Sequence, residues 1–156
     1  MTGEKLNFLK NETAVVLQRL QEDTPCKWGV MNAQQMLEHL ADFFDVSYEK
    51  MIFPLSVPEE QLPKYKAFLF SDKEFRENTK APSNILGDTP FPLRQPSLAA
   101  AKENLLLSIQ KFVEWFSDDA VKTSVHPAFG PLNFVEWVLL HHKHVTHHFK
   151  QFGLVS

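Results

Sequence analysis

Residues 133–153, NFVEWVLLHHKHVTHHFKQFG, decide how the rest of the chain reads. Asn133 is a good helix N-cap, and Glu136 three residues on completes a capping box. Nothing breaks the helix before Gly153, a natural C-terminal cap. With His141 set at zero and about 100° per residue, His144 falls near −60° and His148 near −20°. Phe134, Trp137, Val145 and Phe152 lie within roughly 40° of zero, so three histidines share the apolar face. His142 and His147 fall to either side and read as surface residues.

A buried imidazole is costly unless its nitrogens find partners, and packing alone does not explain three on one face. A metal ion removes the cost. Histidines four apart on a helix converge readily, which suits His144 with His148; His141 with His144, three apart, suits it less well. His141 and His148 are two turns apart and do not share an ion comfortably. His144 belongs to both solutions. The third ligand is expected from another helix, and His39 is the candidate, with Met36 and Phe43 one turn away on either side. Three neutral imidazoles with an open position favour zinc or nickel, or iron, over magnesium or calcium.

Working outward, residues 6–20 read as a first helix on the spacing of Leu6, Leu9, Val16, Leu17 and Leu20. A second opens at Asn32, with Gln35 completing its capping box, and fades near Met51. A third opens at Ser97 and buries Leu105, Ile109, Phe112 and Phe116. Between them, residues 53–97 hold seven of the ten prolines. We read this as a long crossover with short helical pieces, for instance near 59–70, covering one end of the bundle. The segment His126-Pro-Ala-Phe-Gly-Pro-Leu reads as a rigid turn, with His126 part of a stop signal or, alternatively, a loop group that supports the metal site or faces substrate. No strand pattern competes. The expected fold is an all-α four-helix bundle, one domain over residues 1–156, with its proline-rich crossover between helices 2 and 3.

Composition narrows the function. Formal net charge is −3 with mixed signs along the chain, which argues against a nucleic-acid partner. No run of 18 apolar residues exists and the N-terminus lacks a signal-peptide layout, so the expectation is a cytoplasmic protein without membrane spans. The lone Cys26 excludes an internal disulfide and reads as a small turn residue. Glu38, Asp42 and Asp45 read as a solvated face; Asp42, three residues after His39, alternatively orients it. Fourteen Phe and three Trp exceed what a small bundle hides easily, which predicts a homodimer.

Two segments carry a resemblance to a known family. Trp28-Gly-Val-Met-Asn-Ala-Gln-Gln-Met-Leu-Glu-His39-Leu resembles the second-helix entry of the DinB/YfiT-like metalloenzyme superfamily. His126-Pro-Ala-Phe-Gly-Pro-Leu-Asn-Phe-Val-Glu-Trp, followed by His144-Val-Thr-His-His148-Phe-Lys-Gln-Phe-Gly, resembles the last helix of one branch without an assigned activity. The resemblance implies a bundle with a long link after its second helix. It also implies one metal ligand from the second helix and two, four apart, from the last: His39, His144 and His148. Some members are thiol-dependent transferases or isomerases. The expected function is therefore a metal-dependent transferase or hydrolase acting on a small molecule, with a low-molecular-weight thiol as a candidate partner. The alternative is a non-catalytic metal- or ligand-binding bundle.

Overall fold

A computed structural model of the chain describes residues 2–77, 91–119 and 121–156. Pro82 and Pro90 of the crossover lie outside the described residues. The helical segments are α1 (Thr2–Asn7), continued through a π-helical turn at Phe8–Glu12 into α2 (Thr13–Leu17), then α3 (Ala33–Ser47), α4 (Leu62–Phe70) behind a 3-10 turn at Glu59–Gln61, α5 (Leu98–Phe116) and α6 (Phe134–Gln151). Two short strands, β1 (Ser124–His126) and β2 (Gly130–Leu132), pair antiparallel between α5 and α6.

The helices α3, α5 and α6 start where their side chains dictate. Asn32 accepts from Gln35 N while the Gln35 side chain accepts from Asn32 N, and Asn133 and Glu136 form the same reciprocal pair at α6. Ser97 caps α5 by accepting from Ala100 N at 3.1 Å. The helices bury Leu9, Leu17, Met36, Leu40, Phe44, Leu105, Phe112, Trp137 and Phe149 in one continuous core. Among the described residues no helix is long and apolar enough to cross a membrane.

The all-α four-helix bundle is overturned. Once α1 and α2 are taken as one rod, there are five helical rods among the described residues, α4 being the fifth, together with the β1–β2 hairpin. The stretch 126–132, read as a rigid turn, is this hairpin. Its register, Ser124 opposite Leu132 and His126 opposite Gly130, leaves Pro127, Ala128 and Phe129 as the loop. Such three-residue loops close on a residue in the left-handed region. Gly130 supplies it at φ +79°, and a Cβ there would lie 2.9 Å from Leu62 Cδ1 on α4. His126 and Ser124 point inward and Val125 outward, so the hairpin seals the core beside α3 and α6.

The aromatic surplus behind the homodimer expectation is mostly absorbed inside the monomer. Of the described aromatic residues, Phe70 and Phe91 are the ones that stay exposed.

The Asn133 cap fixes the start of the helix that carries five histidines. Asn133→Ala should lower the unfolding free energy by about 1 kcal/mol, and Asn133→Gly by only a few tenths. Urea denaturation of the two variants checks this; equal losses would mean that the cap bond contributes nothing.

Candidate metal centre

α3 and α6 face each other across the core with His39 on one and His144 and His148 on the other. His39 Nε2 stands 2.9 Å from His144 Nε2, and His148 Nε2 stands 3.2 Å from the same atom. The three nitrogens lie within 4.8 Å of one another. The rings form a three-bladed arrangement, each pair edge-on with centroids 4.8 Å apart. Ligand nitrogens around a tetrahedral zinc stand roughly 3.4 Å apart, so the two separations to His144 are slightly tighter than an ion would hold them.

The chemistry of the donors also fits. Burial holds His39 and His144 well below the ordinary histidine pKa, with the charges of neighbouring histidines adding to the effect. Burial likewise pushes His148 down to about 4. All three are therefore neutral near pH 7, the form that ligates a metal. Phe43 walls the site, its ring 5.2 Å from both His39 and His144, and Phe75 covers the outer side at 6.3 Å from His144. A cavity of about 20 Å³ opens beside His39, lined also by Met31, Gln35, Phe91 and Arg94. It shares Glu38, Asp42 and Arg94 with a larger cavity of about 200 Å³.

His141 is not part of the cluster. Its ring is stacked between Phe44, at 3.8 Å, and Trp137, at 5.1 Å, and its Nε2 has no hydrogen-bond partner. The i, i+4 solution on α6 is thus the one the structure contains. His126 holds the hairpin loop: its Nδ1 accepts from Ala128 N at 2.9 Å and Phe129 N at 3.2 Å. His147, expected at the surface, is 8% exposed and lies between Trp28 and Phe75. His142 is half-buried against Phe8.

The carboxylates of α3 are not a solvated face. Asp42 is 7% exposed and takes both Arg94 guanidinium nitrogens, at 2.9 and 2.7 Å. Burial raises its pKa, against the pull of Arg94. Glu38 accepts from the backbone of Arg94 and Gln95 and from the side chain of Gln34. Asp45 accepts from Tyr48 and Ser108. None of these bonds reaches His39. Arg94 has no signal in the sequence, because its partners are more than fifty residues away on another element. Cys26 is partly buried, and its Sγ–H donates to Gly29 O at 3.6 Å, which fits a turn residue.

A family model described as "Protein of unknown function (DUF1569)" matches residues 2–153. The chain belongs to the DUF1569 family. The match spans every element that builds the three-histidine cluster. No curated protein and no solved structure matches the chain.

The histidines set the acid response of this DUF1569 protein. His126, pushed down to about 3, and His148, at about 4, stay neutral in the fold while the unfolded chain binds their protons below about pH 6.5. Stability therefore falls as pH drops from 6.5 toward 4, by about 1.4 kcal/mol per pH unit for each such group. In metal-free protein the urea midpoint should be flat from pH 7 to 8 and fall steeply below 6.5. His126→Asn, which keeps an acceptor for the loop amides, should remove about one proton from the slope. A midpoint unchanged down to pH 5 contradicts this account.

Proposed function

We propose that the protein is a metal-dependent enzyme whose centre is one divalent transition ion, zinc or nickel foremost and iron next, held by His39, His144 and His148. The observation that carries the reading is the convergence, from two helices, of three histidine side chains whose burial favours the neutral ring. Among the described residues no fourth His, Cys, Asp or Glu joins the group, so a coordination position is left for a small molecule. Such an ion acts as a Lewis acid and brings the pKa of a bound thiol or water toward neutrality.

The chain's own residues supply the rest. His39, His144 and His148 would hold the ion without a charge of their own, so the centre would keep its net positive charge. Phe43 and Phe75 exclude water from the ring edges. The cavity beside His39, bounded by Met31, Gln35, Phe91 and Arg94, is the approach for substrate. The nucleophile comes from the small molecule, a low-molecular-weight thiol or water, because Cys26 bonds to Gly29 O and stands outside the cluster. Thiol transfer and hydrolysis are the reaction classes, in line with the DinB/YfiT-like resemblance of the sequence. A second reading, a non-catalytic metal-binding protein, draws on the small size of the His39 cavity, about 20 Å³.

Metal analysis of the purified protein tests the centre. One equivalent of zinc, nickel or iron is expected, with His39→Ala, His144→Ala or His148→Ala each losing it and His142→Ala retaining it. Metal content that survives these three substitutions would sink the proposal. For the enzyme reading, a thiol-conjugation and hydrolysis screen on metal-loaded protein should give turnover that chelation abolishes and Cys26→Ala leaves nearly intact. Loss of turnover in Cys26→Ala with metal still bound would point to a covalent mechanism instead.

A further inference from the structure

Gln151 lies one turn beyond His148 on α6 and is 3% exposed. Both ends of its amide are used. Its Nε2 donates to Trp28 O at 2.8 Å, and its Oε1 stands 2.7 Å from His148 Nδ1. Its own backbone carbonyl accepts from Lys27 N at 2.7 Å, which fixes the 27–29 segment against the end of α6.

These contacts settle the proton on His148. A backbone carbonyl oxygen only accepts, so the group facing Trp28 O must be the amide NH2. The group facing His148 is then the amide oxygen, which also only accepts. Nδ1 must therefore carry the hydrogen, and in the neutral ring Nε2 is left with its lone pair aimed at His39 and His144. Turning the amide over would set oxygen against oxygen at Trp28. His39 has no such device: its Nδ1 is buried with no hydrogen-bond partner.

Gly29 makes room for the arrangement. It adopts φ +84°, and a Cβ at this position would lie 2.7 Å from Gln151 Nε2. The clash is with the tip of a flexible side chain, so an alanine there would push the amide away from Trp28 O and His148, and it would also strain a backbone that at this φ favours glycine whatever the space. The 27–29 segment runs into Asn32, the cap of the helix that bears His39. One amide thus ties the entry of α3 to a histidine of α6.

We propose that Gln151 is the positioning residue of the centre, locking His148 as the Nδ1–H tautomer with Nε2 free to ligate, and that the glycine at position 29, which its left-handed backbone also favours, leaves room for its amide. This rests on the metal-centre reading above, extends it to two residues outside the ligand set, and makes a claim about His148 that holds without any ion. Groups that orient metal-bound histidines in this way typically carry a 10- to 100-fold share of metal affinity.

The test has two arms on the full chain. In metal-free wild type at neutral pH, long-range 1H–15N correlation spectra should show His148 as the Nδ1–H tautomer. In Gln151→Met that preference should be lost. In Co2+ titrations followed by visible absorption, Gln151→Met should bind roughly 10- to 100-fold more weakly than wild type, with an altered ligand-field spectrum. Gln151→Glu, which keeps an acceptor for Nδ1–H but sets oxygen against oxygen at Trp28, should keep the Nδ1–H tautomer while recovering only part of the affinity. Gly29→Ala, in which backbone strain adds to the clash with the amide, should lose the His148 tautomer preference although the glutamine is still present, and that tautomer is its diagnostic readout. A purely structural role would lower the melting temperature of Gln151→Met and Gln151→Glu alike and leave tautomer and spectrum unchanged. The proposal is overturned if wild-type His148 is the Nε2–H tautomer, or if Gln151→Met binds Co2+ with wild-type affinity and spectrum. If wild type binds no Co2+, the metal reading falls, while the tautomer measurement still decides the role of Gln151. If Gln151→Met does not fold, the His148 tautomer in wild type and in Gly29→Ala decides it.

Discussion

An imidazole moved from water into an apolar core must stay neutral and must still find partners for two nitrogens. Six histidines of this chain face that constraint, His147 between Trp28 and Phe75 among them, and much of the interior is arranged around it. His39, His144 and His148 meet one another. His126 spends its Nδ1 on the amides of the hairpin loop. His141 takes the aromatic solution, stacked between Phe44 and Trp137, and leaves one nitrogen unpaired. An unpaired buried nitrogen costs on the order of 1–3 kcal/mol, so His141 is a place where the core gives up stability.

Around the histidines the charges are satisfied at the periphery. Lys143 is nearly buried, donates to the carbonyls of Ser71 and Lys73, and rests its ammonium 4.7 Å from the Phe68 ring centre. Lys150 pairs with Glu74. These two lysines of α6 hold the segment that carries Phe75 over His144. On the opposite side Arg94 spans Glu38 and Asp42, two carboxylates that burial would otherwise leave uncompensated. Removing one partner of such a buried group is far more costly than the pair is favourable, so Arg94 anchors the chain that re-enters α5 against α3.

What could be read in the sequence was local. Two Asn-x-x-Gln/Glu boxes placed the starts of α3 and α6, and the four-residue step between His144 and His148 pointed to the pair that meets His39. The hairpin escaped because three-residue strands are too short to show an alternating pattern, and its Pro127 and Pro131 look like simple breakers. His147 was misplaced because a helical wheel knows only one helix: Trp28 and Phe75, from segments remote in sequence, wrap the flank that the wheel assigns to solvent. Asp42 was misjudged for the same reason, its partner Arg94 arriving from 52 residues away. Gln151 stood in plain view one turn past His148, yet its role depends on the Trp28 carbonyl, which no helical spacing reveals.

His39 and His144 are separated by 105 positions along the chain. Whatever joins them closes a loop that takes in α4, α5 and the hairpin. An occupant that binds only this folded arrangement would stabilise the whole loop by mass action, about 2.7 kcal/mol at a concentration a hundredfold above its Kd. Helices that never touch the cluster would share that gain, because they unfold with the loop it closes.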